Sequence, residues 1–151
     1  MQGPATPTTP RECLNTVFGY PAFRGAQAEI VERVIDGGDA IVLMPTGGGK
    51  SVCFQIPAIL RPGVGVVVSP LIALMADQVS ALRLLGVEAA VLNSSQTAEE
   101  SRAVWGQLVR DELDLIYVAP ERLLTDGFLE LLDRLHQQDG IALFAIDEAH
   151  C

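Results

Sequence analysis

Five apolar, β-branched runs recur at wide spacing along the chain, at Ala40–Met44, Val64–Ser69, Ala89–Asn93, Leu115–Val118 and Ala142–Ile146. Each is bounded by Gly, Pro or polar residues, and none alternates strictly between apolar and polar. Near-continuous runs of this kind are expected of strands buried on both faces. Helical stripes lie between them. Ile30, Val31, Val34 and Ile35 form one apolar face, and Leu71, Leu74, Met75, Leu82 and Leu85 form another. Thr97 and Glu100 have capping-box spacing ahead of Val104 and Leu108, and Phe128, Leu131, Leu132 and Leu135 stripe a last helix. Strand–helix alternation predicts an α/β fold with a parallel sheet. In such a sheet, ligands bind beyond the carboxyl ends of the strands.

The length of 151 residues suits one domain, and 49% apolar with 19% charged residues suits a globular one. Residues 1–10 are rich in Pro and Thr and read as a flexible tail, leaving 11–151 as the domain. No apolar run reaches the roughly 18 residues that span a bilayer, and the N-terminus lacks the pattern of a secretory signal. The three cysteines, Cys13, Cys53 and Cys151, are widely spaced. They support neither a zinc site nor a disulfide framework, and a reduced, cytoplasmic setting is expected. A net charge of −9 argues against a broad basic surface for nucleic acid, although backbone amides can still meet phosphates.

The chemistry concentrates at strand ends. Strand Ala40–Met44 runs into Pro45-Thr46-Gly47-Gly48-Gly49-Lys50-Ser51. Three glycines let backbone N–H groups turn inward on phosphate oxygens, and the following helix adds its positive end. Lys50 would reach the β- and γ-phosphates of ATP, and the Ser51 hydroxyl would ligate Mg²⁺. Met44 stands where the general G-x-x-x-x-G-K-[ST] pattern has its first glycine. Among ten basic residues Lys50 is the single lysine, which suits a compact ammonium. The last apolar run ends in Asp147-Glu148-Ala149-His150. Asp147 would hold Mg²⁺ and Glu148 would polarise the attacking water.

Thr46–Ser51 together with Asp147–His150 resembles a superfamily 2 helicase. Phe18-Gly19-Tyr20-Pro21-Ala22-Phe23-Arg24-Gly25-Ala26-Gln27, the segment Ser69–Val79, Leu92-Asn93-Ser94, Tyr117–Leu123 and the cysteine after His150 are similar to the RecQ family of DNA helicases. The resemblance implies a P-loop NTPase (RecA-like) three-layer domain, incomplete at the C-terminus because the chain stops directly after the acidic motif. It also implies ATP and Mg²⁺ as cofactors and DNA, single-stranded or at duplex junctions, as partner. Tyr20 and Arg24 would sandwich adenine, with Gln27 on its edge. Taken without the family, Tyr20 and Phe23 read as a core fragment. Ser69, Pro70, Asn93 and Ser94 would meet the DNA backbone, and a plain strand-to-helix loop remains the alternative for the last two. Glu121 and Arg122 either fix the DNA path or cap the next helix. His150 would couple the ATP site to DNA binding. Trp105 reads as helix packing and His136 as surface.

The activity implied is 3′→5′ unwinding in recombination and repair. The family's second RecA-like domain, which carries an arginine finger worth roughly 10³–10⁵ in rate, is not in these 151 residues. Unwinding by the chain alone is therefore expected to be negligible. A non-catalytic ATP-binding fragment and an RNA helicase are the alternatives. A P-loop kinase or GTPase fits the acidic motif least.

Overall fold

The computed structural model describes residues 9–23, 25, 27–36, 52–61, 63–70, 72–138 and 140–146. The expected strand Ala40–Met44, Arg24, Leu71, the loop through Ser51 and the segment Asp147–Cys151 lie outside the described residues. Among the described residues four strands form one parallel sheet: β1 (Val64–Val68), β2 (Ala89–Leu92), β3 (Leu115–Val118) and β4 (Ile141–Ile146). Their order is β2-β3-β1-β4. Among the described residues seven helices accompany them: α1 (Pro10–Thr16), α2 (Gln27–Ile35), α3 (Val52–Leu60), α4 (Ile72–Leu84), α5 (Ala98–Val109), α6 (Pro120–Leu123) and α7 (Asp126–Gln137).

The sheet is covered on both faces. On one, Val104 and Leu108 of α5 and Phe128, Leu131, Leu132 and Leu135 of α7 pack on Val64, Val66, Ala90, Leu92, Ile116 and Val118. Burying each such side chain stabilises by roughly 1.5–3 kcal/mol. On the other, Ala58 of α3 and Met75, Val79 and Leu82 of α4 pack on Val67, Ala89, Leu115 and Tyr117. Beneath α3 a third cluster joins Cys13, Leu14, Val31, Val52 and Ile56, which locks α1 and α2 to α3. Arg61 adds a hydrogen bond from Nη1 to the Val34 carbonyl at 3.0 Å, closing the last turn of α2.

The four expected strands among the described residues stand within a residue of their boundaries, and three details differ. Thr9 caps α1 by accepting the Glu12 amide, and Pro10 occupies its first turn, so these two residues belong to a helix and not to the tail. Leu85 is exposed, because α4 has already ended: Gly86, at φ +86°, reverses the chain and lets the Val87 amide reach the Leu82 carbonyl. β4 is not buried on both faces. Phe144 and Ile146 are more than half exposed, and β4 is the outer strand of the described sheet, with β1 as its one neighbour there.

The capping box at α5 is present in both directions. Thr97 Oγ1 accepts the Glu100 amide at 3.1 Å, and the Glu100 carboxylate accepts the Thr97 amide at 3.0 Å. The bond from the Thr97 backbone amide, aided by the Thr97 side chain, holds the Glu100 carboxyl below its usual value. Thr97→Ala is expected to cost about 1 kcal/mol in urea unfolding; an unchanged midpoint would show that the cap carries no weight.

Asp114, just before β3, is partly buried. Its Oδ2 accepts the Glu88 amide at 3.1 Å, yet burial, with Glu88 and Asp111 nearby, pushes its carboxyl above the ordinary 3.8. The folded state thus disfavours the ionised form, and the cost is fully present above the raised pKa. It disappears as pH falls to the unfolded value. Asp114→Asn is expected to raise the thermal midpoint at pH 7 and to lose that advantage near pH 3.8.

Candidate nucleotide and nucleic-acid site

Because the sheet is parallel, the segments after β1, β2 and β3 emerge at one end. Along that edge the order is 93–96 after β2, 119–122 after β3 and 69–70 after β1, with β4 ending beside β1. The motif-bearing segments read from the sequence therefore become spatial neighbours. Ser69 donates its amide to the Val118 carbonyl at 3.2 Å, and Ala119 donates to the Leu92 carbonyl at 3.0 Å, so the three loop bases are stitched together.

Within the edge the expected contact residues divide into two kinds. Ser69 is 1% exposed and Asn93 is 6% exposed. Asn93 Oδ1 accepts the Ser95 amide at 2.8 Å, while the Asn93 amide donates to Gln96 Oε1 at 3.1 Å. Gln96 in turn donates Nε2 to the Val91 carbonyl at 2.7 Å. Asn93 thus uses its backbone amide and side-chain oxygen to shape its own turn, and Ser69 is buried at the edge. Pro70 and Ser94 are the two on the surface. Ser94 Oγ donates to Glu121 Oε1 at 3.2 Å, bridging the loops after β2 and β3. Neither of the two sequence alternatives for Glu121 included this bridge.

On the side of α1 and α2, Tyr20 is 47% exposed, so its ring is not the core fragment that residue type alone suggests. Its amide donates to the Leu14 carbonyl at 3.1 Å, pinning the turn that follows α1. Phe23 packs partly buried against the α1–α3 cluster, and Gln27 opens α2. Lys50, Thr46, Gly47, Gly48, Gly49, Ser51, Arg24, Asp147, Glu148 and His150 lie outside the described residues. The structure positions what flanks them: α3 begins at Val52, directly after Ser51, and β4 ends at Ile146, directly before Asp147.

Two thiols, Cys13 and Cys53, are buried. Burial, and then the charge of Asp114, pushes Cys13 up to about 11. Burial also raises Cys53. Both are free and carry the thiol form at neutral pH. Trp105 meets Phe128 edge-on, with ring centroids 6.0 Å apart, and is a packing residue as its helical position suggests. His136 is exposed. Among the described residues no helix is long and apolar enough to cross a membrane.

Residues 24–151 match the family described as DEAD/DEAH box helicase, and the chain belongs to that family. Its three-layer α/β architecture is accordingly that of a P-loop NTPase domain. Within the family it is similar to the ATP-dependent DNA helicase RecQ of Haemophilus influenzae, at 46% identity over 138 residues, covering 91% of this chain and 22% of that protein. It is 43% identical over 135 residues to the ATP-dependent DNA helicase RecQ of Bacillus subtilis, covering 89% and 22%. It is also 40% identical over 143 residues to the ATP-dependent helicase SGS1 of Saccharomyces cerevisiae, covering 91% and 10%. The chain spans about a fifth of the length of the two bacterial relatives. The resemblance to RecQ helicases read from the motifs stands.

Proposed function

We propose that the chain, from α1 onward, is the ATP-binding part of an ATP-dependent 3′→5′ DNA helicase of RecQ type, acting in recombination and repair. The observation that carries this reading is the gathering of three motif-bearing loops, 69–70, 93–96 and 119–122, at the carboxyl end of one parallel sheet. That end is where an α/β sheet binds its ligands.

In this reading Lys50 and the amides of Thr46 to Gly49 hold the phosphates, with Ser51 and Asp147 on Mg²⁺. Tyr20, Arg24 and Gln27 hold adenine, and the exposed Tyr20 ring fits a stacking face. ATP bound with Mg²⁺ would supply the phosphoanhydride bond whose hydrolysis, with γ-phosphoryl transfer to water and ADP leaving, drives the motor. Glu148 orients water and accepts its proton, and His150 relays the state of the site. On the nucleic-acid side, Pro70 and Ser94 meet the backbone of single-stranded DNA or a duplex junction, while Ser69 and Asn93 support them from beneath. Backbone amides suit phosphates here without net positive charge. A cytoplasmic, DNA-associated location follows.

The reading is tested by titrating the chain with a fluorescent ATP analogue and Mg²⁺, then with single-stranded DNA and RNA of one sequence. Saturable, Mg²⁺-dependent nucleotide binding and a preference for DNA are expected. Failure to bind nucleotide, or a preference for RNA, would overturn it.

A further inference from the structure

Helix α3 has the sequence VCFQIPAIL, in which Gln55 is the one residue with a strongly polar side chain. Gln55 is 5% exposed and faces the sheet, where its Nε2 donates to the hydroxyl of Tyr117 at 2.9 Å. Tyr117 is fully buried in β3, aligned with Val67 of β1 and Val91 of β2. The net contribution of such a pair to stability is modest. Replacing both partners by apolar groups of similar shape is often nearly neutral, whereas breaking one partner leaves a buried group unsatisfied. What an amide–phenol bond adds is direction: it holds one relative placement of helix and strand, where apolar surfaces slide.

The two ends of this link are informative. α3 starts at Val52, the residue after Ser51, so Gln55 lies one helical turn from the proposed phosphate loop. Tyr117 is the next-to-last residue of β3. Beyond it Ala119 donates to the Leu92 carbonyl, and Glu121 accepts the Ser94 hydroxyl. A continuous run of directional contacts therefore joins the start of α3 to the outer loops of the edge. We propose that Gln55 is a positioning residue which, through Tyr117, couples nucleotide at residues 44–51 to the grip of the 93–95 and 119–122 loops on nucleic acid. This inference rests on the reading of the site given above.

Coupling is measured as a ratio of affinities, and it is reciprocal. The affinity of the chain for a fluorescein-labelled oligothymidylate is read by anisotropy, with and without a non-hydrolysable ATP analogue and Mg²⁺. The affinity for the analogue is then read with and without the oligonucleotide. In the unsubstituted chain both ratios are expected to differ from one by the same factor, about fivefold or more. In Gln55→Met and in Tyr117→Phe both ratios fall to within about twofold of one, while binding of either ligand alone changes little. Tyr117→Phe removes one oxygen and keeps the ring, so it carries the test if Gln55→Met does not fold. Ratios that survive both substitutions, with only the thermal midpoint lowered, would overturn the inference and leave a packing role. Loss of binding to one ligand alone in a folded variant would overturn it too. An unsubstituted chain that binds neither ligand overturns the functional reading and this inference together.

Discussion

Gly65→Ala is expected to lower stability by about 3 kcal/mol, at the upper end of what overpacking costs. A Cβ at this position would stand 2.5 Å from the Ala58 Cβ and 3.2 Å from Leu115 Cδ2. The first of these neighbours has no rotamer to change, since it is fixed to the α3 backbone. Relief requires α3 to lift from β1, and with it the start of the helix behind the proposed phosphate loop. Urea unfolding measures the loss. Adding Ala58→Gly removes the obstructing methyl and is expected to restore about 2 kcal/mol, the remainder reflecting the roughly 1 kcal/mol that glycine costs in a helix. Wild-type stability in Gly65→Ala would mean that α3 does not lie this close to the sheet.

The second large effect is on binding. Lys50→Ala is expected to weaken ATP by roughly ten- to a hundredfold, the worth of a hydrogen bond to a charged group. Lys50→Arg should not recover it, because a guanidinium fork does not replace a compact ammonium at a point contact. Calorimetric titration with Mg²⁺ present would show both. The composition offers an independent check. Lys50 is the only lysine in 151 residues, so an amine-acylating reagent has one side-chain target. Bound ATP is expected to protect it. Acylation at the same rate with saturating ATP would remove Lys50 from the nucleotide site.

The near-continuous strand runs and the striped helices were readable from local pattern alone. β3 spans Leu115–Val118 as its apolar run predicts, and the capping box at Thr97 forms as its spacing predicts. Local chemistry decided both. Features set by what lies across the fold were not readable. Nothing in the run Ala142–Ile146 distinguishes an outer strand from a central one, so the exposure of Phe144 and Ile146 could not be seen. The same limit applies at the site. Ser69 and Asn93 look like surface polar residues in a loop, and only the stacking of neighbouring loop bases buries them. Gln55 did leave a signal, as an isolated amide in an apolar helix, but its partner Tyr117 is distant in the chain and no spacing rule connects them. The nucleotide motifs, by contrast, are legible as chemistry in order along the sequence.

The strand order β2-β3-β1-β4 has a consequence for how the chain comes together on the ribosome. Of the described strands β1 is made first, yet both of its neighbours, β3 and β4, are made later, so its two backbone edges wait while α4, β2 and α5 are synthesised. The waiting segment is Val64-Gly65-Val66-Val67-Val68, apolar and β-branched, the kind of stretch that pairs with whatever strand is at hand. β2 and β3, joined through α5 alone, can close first and present an edge onto which β1 docks backwards in chain order. Assembly is then gated by the arrival of Leu115–Val118 rather than by the emergence of β1, and nascent chains halted before that point are the ones that would need a chaperone.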